Sequence, residues 1–441
     1  MSTIPTVDAL GRKEISVPQS LLNRVVITAV TGATVEWYDF FVYGLLATIV
    51  GKHFFPPGDP VAQTLAALLT FAVGLFFRPF GAGFFGILGD KLGRKPTFMI
   101  SILLMGLSTF SIGLLPTYSS IGIWATVLVV LLRICQGLSV GGAWGGAVTY
   151  VAEYVPQNKR GYYGSFIPLA APLAVVVANG VFIVVSLSLG PKGLEQWGWR
   201  IPFLLSLVLV GVALYLRWKL METPVFDEMK KGGTVAKAPF KEAVVDYWKP
   251  LLMGCIITIG AGVGWYSAYF GIATTLRMVG KLDFLTVSVV MMISALISCV
   301  GYIILGGLLA DRWGRKPVLL LGYALAAVTW YPLTTLLKTG NLLLIALVPI
   351  MLTTYSAMYY GPYGALFPEL YPAKVRYTAL SLAYHVPIGI FGGLAPYAMT
   401  YFVTKTNNPI AGVWYPIIAT GLSCLVAAIY LRETREVDIY K

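Results

Sequence analysis

The sequence predicts an all-α membrane protein with twelve transmembrane helices in two pseudo-symmetric six-helix bundles. Three observations predict it. Of 441 residues, 57% are hydrophobic and only 12% charged, whereas a soluble domain carries about 25% charged residues. Apolar runs of about 20 residues, each long enough to cross a bilayer as a helix, recur along the whole chain. Two separate motifs also return in the second half at nearly one offset. This composition excludes a soluble enzyme, a nucleic-acid-binding protein and a disordered chain. The net charge of +13 fits a membrane protein that gathers Lys and Arg on its cytoplasmic side, so no nucleic-acid partner is expected.

Spans are read near 24–49, 62–88, 97–115, 122–150, 162–189, 200–219, 250–277, 284–309, 317–337, 342–367, 377–404 and 409–431. The chain ahead of the first apolar run is polar, and that run lacks a small-residue cleavage site, so it is a retained span. Of the 32 basic residues, 23 lie at the N-terminus, the even-numbered-helix exits and the C-terminus. Both termini are therefore expected in the cytoplasm, with the chain multi-pass in the plasma membrane. The longest connection is polar and carries Lys230, Lys231, Lys237 and Lys241. It divides an N-terminal bundle (1–220) from a C-terminal bundle (250–441), with 221–249 as a cytoplasmic linker.

The halves echo each other. Gly86-Ile-Leu-Gly-Asp90-Lys-Leu-Gly93-Arg94-Lys95-Pro96, after the second span, returns as Gly307-Leu-Leu-Ala-Asp311-Arg-Trp-Gly314-Arg315-Lys316-Pro317 after the eighth. Glu153-x-x-Pro156-x-x-x-Arg160, after the fourth span, returns as Glu369-x-x-Pro372-x-x-x-Arg376 after the tenth. A repeated six-span half of one orientation signals two bundles related by an axis along the membrane normal. Transport between the bundles follows as the leading idea.

Minor residues narrow the chemistry. Cys135, Cys255, Cys299 and Cys424 each sit alone in an apolar run, without metal-ligand or disulfide spacing. Only two histidines exist, and no phosphate-binding G-x-x-x-x-G-K-[ST] loop occurs. Gly81-Ala-Gly83-Phe-Phe-Gly86 matches G-x-G-x-x-G but lies in an apolar helix with no strand before it, so it reads as packing. No nucleophile–base pair is evident, so no enzyme, cofactor or metal is expected.

Of nineteen acids, only Glu36 and Asp39 fall deep within a span. At a rise of about 1.5 Å per residue, they lie roughly 18 and 22 Å from the cytoplasmic end. Arg78 and Arg133, about 15 and 25 Å deep, share that layer. An unpaired charge there costs at least about 2.5–3.5 kcal/mol, so the four are expected to balance one another or line a wet cavity. Glu36, Asp39 and Arg133 are the proton-coupling candidates. Arg78 and Arg133 are read either as clamps on helix 1 or as forks for a substrate carboxylate. Other candidate substrate ligands are Tyr43 on helix 1, Trp265, Tyr266 and Tyr269 on helix 7, Tyr359 and Tyr363 on helix 10, and Tyr384 and His385 on helix 11. These aromatics are either core or a cage for an apolar or cationic group. His385 is either a packing residue or a ligand.

Asp90, Arg94, Glu153, Arg160, Asp311, Arg315, Glu369 and Arg376 fall at cytoplasmic helix ends. They are expected to form charge networks that hold that end shut, with acids also complementing the dipole of the following helix. In helix 4, Gly137, Gly141 and Gly145 repeat every four residues, a spacing that lets backbones approach closely.

The Asp-x-x-Gly-Arg-Lys loop and Arg133-x-x-Gln136-Gly137-x-x-x-Gly141 resemble signature motifs of the major facilitator superfamily. Gly32-Ala-Thr-Val-Glu36-Trp37-Tyr38-Asp39-Phe40-Phe41-Val-Tyr43-Gly44 resembles its metabolite:proton symporter branch more narrowly. So do Arg78-Pro79, Gly198-Trp199-Arg200-Ile201-Pro202-Phe203 and Glu222-Thr223-Pro224-Val225-Phe226. The resemblance covers the whole chain and implies rocker-switch transport of organic acids, betaines or similar osmolytes with protons. It also implies a cavity lined by helices 1, 4, 7 and 10. Ala143 stands where that branch often carries a carboxylate. The expected function is proton-coupled symport of a small organic anion or zwitterion. The alternative is an uncoupled facilitator or sugar carrier of the same fold. The expected partners are a small-molecule substrate, protons and the lipid bilayer, with the chain a monomer.

Overall fold

In hydrocarbon every peptide group must find its partner within the protein, and a helix does this locally. The computed structural model describes residues 4–7, 13–16, 19–92, 94–141, 143–218, 239–278, 280–372, 375–408 and 410–439. Most of the expected linker thus lies outside the described residues. Among these, eleven helices are long and apolar enough to cross a membrane, and a shorter one completes the twelve. They are helix 1 (Val25–Leu45), helix 2 (Pro60–Phe85), helix 3 (Met99–Leu114), helix 4 (Ile123–Tyr154), helix 5 (Gln157–Gln196) and helix 6 (Gly198–Tyr215) in the first half. Helix 7 (Trp248–Met278), helix 8 (Phe284–Trp313), helix 9 (Arg315–Lys338), helix 10 (Leu342–Leu370), helix 11 (Arg376–Thr406) and helix 12 (Ala411–Tyr430) form the second. Two short strands, β1 (Ile4–Val7) and β2 (Lys13–Ser16), pair antiparallel ahead of helix 1.

Local chemistry sets the helix ends. Asp59, Asp283 and Asn341 cap helices 2, 8 and 10 by accepting from first-turn amides. Bonds from the Thr286 hydroxyl and amide hold the Asp283 carboxyl below its usual range. Gly314, at φ +103°, makes the turn from helix 8 to helix 9 in a conformation that favours glycine. Short π-helical segments interrupt helix 7 at Ser267–Gly271, helix 8 at Tyr302–Leu308 and helix 11 at Ile388–Gly392. Such bulges mark functional regions in many helices.

Helix 1 packs on helices 5 and 6, and helix 7 on helices 11 and 12. The halves meet where helix 5 lies against helix 8 and helix 2 against helix 11, two contacts that the internal repeat relates to each other. The helix 4 glycines do pack. A Cβ at Gly137 would stand 1.9 Å from the Gly74 carbonyl oxygen, and one at Gly141 2.1 Å from that of Arg78. Gly81 likewise abuts the Leu138 backbone. Helices 2 and 4 therefore touch backbone to backbone, which fixes Arg78 and Arg133 relative to each other.

Candidate functional site

Helix 1 presents two adjacent i, i+3 pairs, which address different neighbours. Trp37 and Phe40 face the arginines. The Arg78 guanidinium carbon stands 4.7 Å from the Trp37 ring centre and 4.2 Å from that of Phe40. The Arg133 carbon lies 4.2 Å from Phe40, 4.6 Å from Tyr43 and 5.1 Å from Phe71. Phe40 is thus shared by two guanidiniums.

Asp39 lies elsewhere, and among the described residues no ion pair joins it to either arginine. Arg133 donates through Nη1 to the Phe40 carbonyl (3.2 Å) and to Gln136 Oε1 (2.6 Å), and no carboxylate among the described residues is its partner. Gln136 in turn donates to Thr109 Oγ1 (2.6 Å). Arg133 therefore clamps helix 4 to helix 1. Asp39, fully buried, lies beside Ser206 of helix 6 and within the field of Glu36, and neither of its oxygens has a hydrogen-bond partner among the described residues. Glu36 is also buried. Tyr38, between them, anchors this face by donating to the Pro202 carbonyl (2.8 Å). The reason is geometric: residues one apart on a helix differ by about 100° in direction. When Trp37 and Phe40 turn toward helices 2 and 4, Asp39 turns toward helix 6.

Arg78 is different. It is fully buried, and none of its three guanidinium nitrogens makes a well-formed hydrogen bond among the described residues, the Tyr266 hydroxyl offering at most a weak one. It lies within electrostatic reach of Tyr266 on helix 7 and of Tyr384 and His385 on helix 11. Both His385 ring nitrogens are also unpartnered and buried. The structure thus brings Arg78, Tyr266, Tyr384 and His385 to the junction of the halves.

Aromatic contacts close this junction on two sides. On one side Phe41 meets Trp265 (5.1 Å) and Phe270 (5.3 Å), and Phe71 meets Tyr266 (5.9 Å) and Phe270 (5.2 Å). Beyond them Arg277 Nη1 donates to the Leu45 carbonyl (2.6 Å). On the other side Trp144 of helix 4 stacks on Tyr384 at 3.5 Å. Tyr384 is held by the Tyr360 hydroxyl. Three expected ligands point into the second half instead. Tyr359 stacks on Tyr323 of helix 9 (4.8 Å), and Tyr363 bonds Tyr323 (2.9 Å) and the Ile257 carbonyl (3.2 Å). Tyr269 packs under Trp265 (4.4 Å). Sequence reasoning missed Trp144, Phe41, Phe71 and Phe270. Trp144 had a signal, as a large ring in the small-residue run Gly141 to Gly146.

Six of the eight expected gate residues cluster at one end. Arg160 of helix 5 reaches Glu369 of helix 10 (3.2 Å), and Arg376 of helix 11 reaches Glu153 of helix 4 (3.5 Å), both across the halves. Arg315 pairs with Glu369 (3.1 Å) and Asp311 (3.0 Å). Asp311 does not serve the following helix alone. It accepts from the Gly161 and Tyr162 amides (2.8 Å each), so it caps helix 5 of the other half. A Cβ at Gly364 would lie 1.9 Å from the Gly164 oxygen, so the backbones of helices 5 and 10 touch here. The side chains of Asp90, Arg94 and Ala143 lie outside the described residues. A cavity of about 540 Å³ lined by Lys159, Tyr162, Asp311, Arg312 and Arg435 opens at this charged end, away from Arg78.

Twelve apolar helices, a repeated half and an enclosed polar junction between the halves suit a membrane transporter. The family description "Major Facilitator Superfamily" matches residues 27–396. The chain belongs to the major facilitator superfamily. It is 36% identical over 435 residues to the inner membrane metabolite transport protein YhjE of Escherichia coli (strain K12), covering 98% of each chain. It is 35% identical over 424 residues to the proline/betaine transporter of the same strain, covering 94% of this chain and 84% of that one. A crystal structure of a D-xylose-proton symporter superposes with a TM-score of 0.73 at 19% identity, covering 93% of this chain and 98% of that one. That likeness concerns the fold.

Proposed function

We propose that this chain is a proton-coupled symporter of a small carboxylate or zwitterion such as a betaine, working by alternating access. The two bundles, 1–220 and 250–441, swing about the junction. The charged end and both termini face the cytoplasm of a cell whose plasma membrane holds the protein, because 23 of 32 basic residues fall on that side. The observation that carries the reading is Arg78. Two ring faces return about 2 kcal/mol each to a desolvated guanidinium. The cost of burying an ion after relaxation is several kcal/mol. Three guanidinium nitrogens without a well-formed hydrogen bond among the described residues favour an incoming anion that forks onto the guanidinium. Trp37, Tyr266, Tyr384 and Trp144 offer ring faces to a quaternary ammonium on the same molecule. The name of the proline/betaine relative supports that class.

Asp39 is the proposed proton carrier, since binding a proton relieves the cost of an isolated buried carboxylate. Arg133 acts as a clamp. Uptake into liposomes, with an imposed proton gradient and a panel of carboxylates, betaines and sugars, tests both assignments. Gradient-driven accumulation of a betaine or carboxylate by wild type, lost in Asp39→Asn while counterflow exchange persists, is the expected result. Accumulation by Asp39→Asn at the wild-type level removes Asp39 as carrier. Sugar uptake indifferent to the gradient selects the facilitator reading, which the alanine at position 143 favours.

A further inference from the structure

Residues 431–439 follow helix 12 and lie across the charged end, where they touch both halves. Most contacts are to their own half. Glu433 accepts from the Arg315 amide (2.8 Å) and the Lys316 amide (3.0 Å) at the start of helix 9. Thr434 Oγ1 donates to Glu369 (2.7 Å), and Arg435 Nη1 donates to the Arg312 carbonyl (2.9 Å). Arg376 Nη2 donates to the Ile439 carbonyl. Among the described residues, Gln157 Nε2 of helix 5 donates across to the Arg435 carbonyl (3.1 Å) and Arg160 Nη1 to the Val437 carbonyl (3.5 Å). Leu431, Thr434 and Ile439 are buried.

We propose that this segment is a working part of the gate, a finger carried by the C-terminal half that closes over the start of helix 5 and releases it whenever the charged end opens. Two features support this. Arg160 and Arg376, the arginines of the two cross-half ion pairs, each spend a further donor bond on a finger carbonyl, so the finger completes both pairs. The anchoring is also lopsided. A carboxylate on two helix amides, a hydroxyl on Glu369 and two arginine–carbonyl bonds hold the finger to its own half, against two carbonyl bonds to the other. When the halves part, the helix 5 contacts are the ones that break. The inference rests on the alternating-access reading but not on the substrate or the proton.

The test uses a cysteine-free, full-length background in liposomes. Gln157→Cys with Arg435→Cys, bridged by a short cleavable bis-maleimide, should block transport until the bridge is cut. Arg312→Cys with Arg435→Cys, bridged alike, should transport as the unbridged protein does. Equal transport by the first bridged pair overturns the proposal. A thiol at Ser165→Cys, buried between helices 5 and 8, reports opening independently. Deleting residues 432–441 should speed its labelling about fivefold. Thr434→Ala with Gln157→Ala serves if the deletion does not fold. Labelling unchanged by these variants but accelerated by Glu369→Gln removes the finger alone. Labelling indifferent to all of them also removes the gate.

Discussion

Glu369→Gln should unbalance the charged end. The fully buried carboxylate accepts from Arg160 Nη1 (3.2 Å), Arg315 Nη2 (3.1 Å) and Nε (3.3 Å), and Thr434 Oγ1 (2.7 Å). Glutamine keeps one acceptor oxygen and turns an NH₂ group toward the donors, so one arginine loses its partner. Breaking a buried ion pair from one side costs about 3–5 kcal/mol. Arg315 retains Asp311 and the Ala310 carbonyl, so the lower figure applies, and it falls on the closed form because opening rehydrates both arginines. At about 1.4 kcal/mol per tenfold, the opening equilibrium shifts roughly 100-fold. The assay is the labelling rate of Ser165→Cys, with the melting temperature measured alongside to separate opening from unfolding. An unchanged rate in a protein that melts as wild type refutes the reasoning.

Three further outcomes follow from the geometry. Arg78→Lys keeps the charge but loses the planar fork and stacking on Trp37 and Phe40, so the half-saturation concentration should rise at least about tenfold; unchanged uptake kinetics would place the substrate elsewhere. Gly137→Ala puts a methyl group 1.9 Å from the Gly74 oxygen, forcing helices 2 and 4 apart, and should lower the melting temperature by an amount matching about 1–3 kcal/mol; equal melting would show that the helices have room. Tyr359→Phe retains the ring that stacks on Tyr323, so half-saturation should stay within about twofold of wild type, and a larger rise would return Tyr359 to the site.

Periodicity and charge made the helices legible, because a long apolar run has one stable solution in lipid. The paired motifs Glu153 to Arg160 and Glu369 to Arg376 made the cross-half ion pairs legible, because a repeat in sequence becomes a symmetry in space. Gly137 and Gly141 were legible as packing because glycine every four residues has one steric use. Direction around a helix was not. Depth follows from counting, and counting placed Glu36, Asp39, Arg78 and Arg133 in one layer. Which neighbour a face meets depends on tertiary contacts such as Tyr38 with the Pro202 carbonyl, which no local pattern encodes. Tyr359 and Tyr363 were misplaced for the same reason. Residues 431–439 escaped because they meet helix 5 through backbone carbonyls, which carry no side-chain signature.

If transport is proton-coupled as proposed, that rotation changes how the coupling would work. Had Asp39 faced Arg78, protonation would free the guanidinium directly, one charge for another. Instead Asp39 faces helix 6 while the arginines face Trp37 and Phe40, the latter about 100° away around the same helix. On the proposed reading a proton on Asp39 would reach the substrate by moving helix 1 as a body, because Phe40 is wedged between two guanidiniums at 4.2 Å each. Rotation or tilt of helix 1 toward Ser206 must drag both ring faces off both arginines. Coupling of this kind is mechanical, and it leaves a signature. Asp39→Asn should abolish gradient-driven accumulation while leaving the half-saturation of exchange near wild type, whereas a direct ion-pair swap would alter both together.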